Sequence, residues 1–345
     1  MNSKNKQDIF LLSLNELERE LLRLRIQKYR AKQIFEWIYK KGALDFGLMT
    51  NLSVSQREIL YENFRFPTFK LLEKQHSEDG ATKYLFELHD GRLIETVLIS
   101  FKKRNTICIS TQVGCKYGCV FCASGARGFT RNLVASEIIM QVFYLKCIEE
   151  VKIDNYVFMG MGEPLDNCSN LEQSIQIMNS KNQLGIAARR ITVSTNGIIP
   201  GIERLKNFNI QVNLALSLHA VTQEKRKSIM PVASKYSLAQ VLKAVLHYYE
   251  KTHRIPTIEY ILLKNINDKA EDASGLAEIA KFLKAKVNLI PYSPVSSSKH
   301  LRRPMKTDVD KFLDKLLEKR VNVTVRNSKG RDIKAACGQL AGLKK

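Results

Sequence analysis

At 345 residues the chain is long enough for one large α/β barrel or for two to three ordinary domains, and its 44% apolar content is enough to bury a core without disulfide staples. No apolar run reaches the roughly 18 residues of a membrane helix, and Met1 to Asp8 lacks the apolar segment of a secretory leader. Seven cysteines in no even framework point to a reducing compartment, hence a cytosolic protein, and 55 Lys and Arg against 34 Asp and Glu leave +21, a field that favours polyanions with nucleic acid first.

The first 65 residues read as helical. Ser13-Leu14-Asn15-Glu16 is a capping-box pattern, and Leu14, Leu17, Leu21 and Leu24 recur at helical spacing. A second helix runs from about Tyr29 to Lys41 and stops at Gly42; Ser53-Val54-Ser55-Gln56 opens a third. Arg23, Arg25, Lys28, Arg30, Lys32, Lys40 and Lys41 make this region basic, so it reads either as an RNA-binding attachment or as a structural cap. A period of two then takes over. Tyr84–Leu88, Leu93–Ile99 and Thr106–Ser110 read as strands, with turns at Asp79-Gly80 and Asp90-Gly91, giving a hairpin extension that leads into a main sheet.

From there strands and helices alternate. Strands are expected at 106–111, 154–160, 190–196, 210–217, 256–263 and 285–291, and helices at 133–150, 169–180, 198–207, 237–251, 269–284 and 307–319, with a last strand at 321–326. Such alternation with apolar strands implies a parallel sheet covered by helices. Six units are two short of a closed eight-fold barrel, so the expected α/β architecture is an open, partial barrel.

Ligands of such sheets sit at the carboxyl ends of the strands. The first of these ends carries Cys115-Lys116-Tyr117-Gly118-Cys119-Val120-Phe121-Cys122. Three thiols this close can wrap one metal centre; a closed zinc site normally takes four ligands, and three thiolates on an iron–sulfur cube leave one iron open. Zinc and cube both remain readings of the triad alone. The other strand ends carry Gly160-Met161-Gly162-Glu163-Pro164, Ser194-Thr195-Asn196-Gly197, Ser217-Leu218-His219 and Pro291-Tyr292-Ser293-Pro294. Polar and glycine-rich chemistry thus collects at one rim.

The cysteine motif at the end of a first strand, followed by Gly-Met-Gly-Glu-Pro after the second, resembles the radical S-adenosylmethionine (radical SAM) superfamily. The resemblance implies a partial (β/α)6 radical SAM barrel, in which Cys115, Cys119 and Cys122 hold a [4Fe–4S] cluster whose open iron binds SAM. It also implies that Gly162 and Glu163 receive the SAM amino group, that Ser194, Ser217, Leu218 and His219 contact its ribose and adenine, and that Phe121 packs near the adenine, although the residue reads equally as core packing. The runs Gly114–Leu133, Val157–Leu165 and Asp332–Leu340, the last containing Ala336-Cys337-Gly338-Gln339-Leu340, are similar to the RlmN/Cfr group, with Ala123–Phe129 and the tail nearer to RlmN. That group methylates an adenine ring carbon in RNA: C2 in 23S ribosomal RNA and commonly adenine 37 of transfer RNA for RlmN-type enzymes, C8 for Cfr-type ones.

By this resemblance Cys337 takes a methyl group from one SAM, and a radical derived from a second SAM removes hydrogen from it. The methylene radical adds to the base, and Cys108 then attacks the Cys337 sulfur, forming a disulfide and freeing the product. Adenine C2 has no useful nucleophilicity, which is why a radical is needed. Read from the residues, Cys108 lies on the first strand seven residues before the cluster motif and is either a small core residue or a thiol facing the barrel interior. Glu95 stands inside the apolar run Leu93-Ile94-Glu95-Thr96-Val97, where a carboxylate must work, pair or face water; the resemblance makes it the base that takes the ring proton, with burial raising its pKa. His219 has an alternative as a satisfied histidine at a strand end, and Cys147 and Cys168 read as structural. Ser293 departs from the group, which usually has asparagine there, so no SAM contact is carried over to it.

The expected division is a helical, RNA-binding accessory domain over 1–65, a β extension over 66–100, the barrel over 101–331 and a tail over 332–345 with the methyl-acceptor cysteine. The expected protein is a monomeric, cytosolic RNA adenine-C2 methyltransferase served by an electron donor such as flavodoxin or ferredoxin. Adenine-C8 methylation and a non-enzymatic zinc-stabilised RNA-binding module are the competing readings.

Overall fold

A computed structural model of the chain describes residues 6–102 and 104–342. The first five residues of the expected helical region and the last three of the expected tail lie outside the described residues. The helical start forms as its caps dictate. Helix α1 (Leu14–Arg23) is capped by Ser13, whose Oγ accepts from Glu16 N at 3.3 Å while Ser13 N donates to Glu16 Oε2 at 2.8 Å. Helix α2 (Arg30–Tyr39) ends before Gly42, which has φ +69°, and α3 (Val54–Asn63) carries the same reciprocal cap on Ser53. Gln7-Asp8 pairs in parallel with Phe64-Arg65, closing this region on itself.

Four antiparallel strands follow: β1 (Phe69–His76), β2 (Ala81–Leu88), β3 (Leu93–Phe101) and β4 (Arg104–Cys108). Gly80 and Gly91 take φ +92° and +74° in the two turns. The sequence reading lacked β1. It is an edge strand with alternating charges and a bulge between Leu71 and Glu73, so no apolar alternation marks it.

Strand β4 also opens the parallel part. After it come a small antiparallel hairpin, β5 (Gln112–Gly114) and β6 (Phe129–Asn132), with the short α4 (Ala123–Ala126) between them. Then α5 (Ala135–Phe143), β7 (Asn155–Phe158), α6 (Cys168–Asn179), β8 (Ile191–Thr195), α7 (Ile199–Lys206) and β9 (Asn213–Ser217) alternate. The chain continues through α8 (Gln223–Ile229), α9 (Leu238–Thr252), β10 (Thr257–Leu262), α10 (Ala270–Phe282), β11 (Lys286–Pro291), α11 (Lys306–Glu318) and β12 (Val323–Val325). The order in the ten-stranded sheet is β12-β11-β10-β9-β8-β7-β4-β3-β2-β1, parallel from β12 to β4 and antiparallel beyond. The barrel is therefore partial, as expected: β12 is an edge on one side, and the antiparallel extension continues the sheet on the other.

The accessory helices dock on the barrel's outer layer through aromatic rings. Phe10 meets Phe143 of α5 at 5.0 Å and Tyr39 at 5.6 Å, both edge-on. Gln183 Nε2 donates to Leu12 O (3.2 Å) and to the Tyr39 hydroxyl (3.0 Å), and the Cys147 thiol donates to Tyr39 O. Cys168 likewise spends its thiol on Leu165 O, so both of these cysteines have structural partners.

Candidate active site

The cysteine loop is carried at the tip of the β5–β6 hairpin. Gly114 (φ +76°) makes the hairpin possible, because a Cβ there would stand 1.9 Å from Gly128 O. Cys115 N donates to Gly128 O, Cys122 N to Cys119 O and Val120 N to Ile229 O, fixing the loop against α8. The three thiols are half-buried and act on one another. Burial, then the neighbouring thiols, hold Cys119 well above the ordinary thiol range; burial likewise pushes Cys115 up to about 12, with Cys122 a further repulsive neighbour. Metal binding deprotonates such thiols and removes their mutual repulsion, so the donor set suits a cationic centre. Among the described residues no three His, Cys, Asp or Glu side chains are grouped as ligands of one ion; a cube takes each thiolate at a different corner and needs no such convergence.

Around this loop the rim residues meet. Glu163 N donates to Gln112 Oε1 at 2.8 Å, and Gly162 (φ +99°) passes so close to Gln112 that a Cβ would lie 2.5 Å from it. The buried Glu163 carboxylate accepts from Leu165 N (3.1 Å) and Asn196 N (2.8 Å), joining the ends of β7 and β8. Burial pushes its pKa up to about 7. The hydroxyls of Ser194 and Ser217 stand 3.4 Å apart on adjacent strands. Leu218 is fully buried. His219 has φ +58°, its Nδ1 accepts from Ile261 N at 3.0 Å, and its ring meets Phe121 edge-on at 4.8 Å. Burial, helped by the Arg226 cation, lowers the His219 pKa to about 3, so the ring is neutral. One ring nitrogen is thus satisfied by backbone while the ring lies against Phe121.

Five of the eight buried side-chain polar atoms that lack a partner within the described residues belong to this region: Thr111 Oγ1, Asn196 Oδ1, Arg226 Nη1, Glu259 Oε2 and Ser293 Oγ. Buried orphans of this kind are rare in finished structures, and their concentration at one rim fits a polar ligand. Ser293, to which no SAM contact is carried over, is one of them.

The tail that carries Cys337 is bonded to the cysteine loop, Gly338 O accepting from Ala123 N at 2.7 Å. Cys108, opposite Val97 and Val157 in the sheet, is half-buried, and burial raises its pKa to about 11 against the pull of the Arg326 cation. Cys337 is exposed as a residue, and desolvation of its thiol is the largest cause pushing the pKa up to about 12, with Glu259, Cys122 and Cys108 as negative neighbours and Arg326 opposing them. All seven cysteines are free, so no Cys108–Cys337 disulfide is present in this state.

Glu95 departs from the picture of a lone carboxylate. Its Oε1 pairs with buried Lys83 at 3.0 Å, and its Oε2 accepts from Ala341 N (2.6 Å) and Gly342 N (2.8 Å).

Sequence reasoning missed several supporting groups. Fully buried Arg226 donates to Asn196 O (2.6 Å), Leu218 O (3.2 Å) and Ser217 O (3.3 Å), tying two rim segments together. It stands in Gln223-Glu224-Lys225-Arg226-Lys227, which reads as a solvated charge run. Arg226→Met leaves these carbonyls without their donor and is expected to destabilise the fold by roughly 2–4 kcal/mol. Chemical denaturation measures this, and a change under about 0.5 kcal/mol would remove the clamp from the account. Asp166, which accepts from Gln112, Lys116 and Tyr117, was also missed.

A partial barrel with three thiols on its first βα loop and a glycine-glutamate pair on its second defines a radical SAM protein; residues 109–277 match the radical SAM superfamily. Residues 7–65 match the ribosomal RNA large subunit methyltransferase N-terminal domain. A probable dual-specificity RNA methyltransferase RlmN of Thermotoga neapolitana is 47% identical over 95% of this chain and 96% of its own length. The corresponding protein of Staphylococcus saprophyticus is 44% identical over 97% and 93%. The crystal structure of a radical SAM methyltransferase from Sphaerobacter thermophilus superposes with a TM-score of 0.93 at 37% identity, covering 98% of this chain and all of that one. The chain belongs to the RlmN family of radical SAM RNA methyltransferases. Among the described residues no helix is long and apolar enough to cross a membrane.

Proposed function

We propose that this protein methylates C2 of an adenine in 23S ribosomal RNA, and adenine 37 of transfer RNA, through a methyl group carried on Cys337. The observation that carries the reading is the seating of the Cys337 segment on the cysteine loop, where Ala123 N donates to Gly338 O at 2.7 Å, with Cys122 and Cys108 as electrostatic neighbours of the Cys337 thiol. Cys115, Cys119 and Cys122 hold the [4Fe–4S] cluster, and Gly162, Glu163, Ser194, Ser217, Leu218 and His219 form the SAM site. When bound, cluster and SAM supply a methyl group and a carbon radical that removes one hydrogen atom.

Cys337 loses its thiol proton as it takes the methyl group, and holds the resulting methylene beside the base. Once the methylene carbon is bonded to C2, Glu95 takes the ring proton. Cys108, as its thiolate, attacks the Cys337 sulfur; a sulfur–sulfur bond forms, the sulfur–carbon bond breaks, and the carbon keeps that electron pair and takes up one proton, of the two given up by Cys108 and the ring, to become the methyl product. Counting the Cys108 and ring protons, the sequence from S-methyl to product releases one proton and one electron, and the disulfide needs an external dithiol reductant before the next cycle. The base leaves its stack to reach the rim. The net charge of +21 supports phosphate contacts, with binding that weakens as salt rises. The helical region over 1–65 is the RNA attachment, the extension over 66–100 and barrel over 101–331 carry the chemistry, and the tail over 332–345 presents the carrier thiol. The enzyme acts as a cytosolic monomer, with flavodoxin or ferredoxin as electron donor.

Anaerobic reconstitution with iron and sulfide tests this reading. The expected result is brown [4Fe–4S] absorbance and SAM cleavage; one bound zinc and no SAM cleavage would replace it with a zinc-stabilised RNA-binding module.

Glu163 supplies a pH test. Its pKa is raised by burial from 4.5 to about 7, so in the ligand-free fold the neutral acid is favoured, and the stability it lends is lost as pH rises between these values. An ammonium ligand needs the carboxylate, so binding below about pH 7 expels a proton. SAM affinity is expected to rise with pH, approaching tenfold per unit well below 7 and levelling above it. Equilibrium binding to the reconstituted protein measures this, and Glu163→Gln should flatten the profile. A flat wild-type profile would remove Glu163 from the ammonium site.

A further inference from the structure

Tail residues 330–342 are stitched to the molecule on both sides of Cys337. Gly330 N donates to the Asp79 carboxylate (2.8 and 3.0 Å) at the β1–β2 turn. Past the cysteine, Gly338 O accepts from Ala123 N (2.7 Å), and Gln339 Nε2 donates to Pro294 O (2.8 Å). Leu340 O accepts from the Ser124 hydroxyl (2.6 Å), and the carbonyls of Ala341 and Gly342 accept from Arg127. The innermost of these attachments is the Glu95 carboxylate. Its Oε2 receives the N–H groups of Ala341 and Gly342, while its Oε1 faces Lys83, a lysine whose side chain is only 9% exposed. Gly342 has φ +62°, and a Cβ there would lie 2.5 Å from Leu93 O, so the tail fits this cradle only as glycine.

A carboxylate oxygen has two lone pairs. Those of Oε2 are both taken by the tail, so this oxygen cannot hold the tail and accept a ring proton together. Lys83 and Glu95 lie diagonally across the β2–β3 hairpin, since Lys83 pairs with Val97 and Leu85 with Glu95. The ammonium therefore fixes which oxygen turns toward the tail. Burying a lysine is costly unless it is paired, and Glu95 is its one partner among the described residues.

We propose that Lys83 and Glu95 form a latch on the tail: Lys83 is a positioning residue that orients the carboxylate, the carboxylate holds residues 341–342, and this hold sets Cys337 at the rim. This rests on the carrier role of Cys337 proposed above.

The test uses the reconstituted full chain, with hydrogen–deuterium exchange of the tail peptide and mass spectrometry of S-methylation at Cys337 after incubation with SAM. Lys83→Met and Gly342→Ala, which open the latch from opposite sides, are both expected to speed tail exchange at least tenfold and to lower Cys337 methylation at least tenfold. Unfolding midpoint and cluster absorbance serve as folding controls. Lys83→Arg should restore both readouts toward wild type. If the folded Lys83→Met protein keeps wild-type exchange or wild-type methylation, the latch is wrong. A wild-type protein that carries no methyl group on Cys337 under any of these conditions overturns the carrier reading itself, which separates the two failures.

Discussion

Cys337→Ala is expected to abolish RNA methylation entirely while leaving the cluster and SAM binding in place. The reason is chemical before it is structural. Adenine C2 does not attack a sulfonium methyl group, so without a carrier there is no alternative polar route to fall back on, and the loss is of the whole catalytic rate rather than a fraction of it. The structure explains why the cluster survives. Cys337 is accessible, and the neighbouring backbone contacts, from Ala123 N to Gly338 O and from Ser124 to Leu340 O, do not use its side chain. The substitution therefore removes a sulfur without removing the tail's attachments. Radiolabelled methyl transfer to RNA, read beside cluster absorbance, measures the effect. Activity within tenfold of wild type would end the carrier role.

Cys108→Ala is expected to stop the reaction one stage later, with RNA covalently joined to Cys337. Such an adduct runs as a shifted band under denaturing conditions and disappears in the Cys108→Ala/Cys337→Ala double variant. Cys108 sits on β4, and Arg326 is the cation that opposes its burial. With the thiol raised to about 11, its thiolate fraction grows about tenfold per pH unit below that value. In wild type, release of the adduct should accordingly quicken as pH rises from 7 to 9. A Cys108→Ala protein that turns over normally, with no adduct, would assign Cys108 to core packing instead.

The site's outline was legible because its chemistry is local. Cys115, Cys119 and Cys122 share one loop, Gly162-Glu163 one turn, and the apolar strands that deliver them alternate with helices whose caps are written in neighbouring residues. What escaped was held by long-range contact. Arg226 looks like one charge in a solvated run until α8 folds over the ends of β8 and β9. The strand Phe69–His76 was missed because an edge strand carries charges where a buried one carries valine. Glu95 was recognised as a carboxylate that must work or pair, but its partners are Lys83 across a hairpin and amides some 246 and 247 residues away. The hairpin register set by Asp90-Gly91 is the signal that places Lys83 on the face of Glu95.

Nearly full-length similarity to RNA methyltransferases carries the family assignment, whereas C2 rather than C8 as the position methylated rests on the likeness of Ala123–Phe129 and the tail to RlmN. The direct test is mass spectrometry of nucleosides digested from 23S ribosomal RNA and transfer RNA after reaction with the reconstituted enzyme. 2-Methyladenosine is expected in both RNAs, and finding only 8-methyladenosine in the ribosomal RNA would contradict methylation at C2.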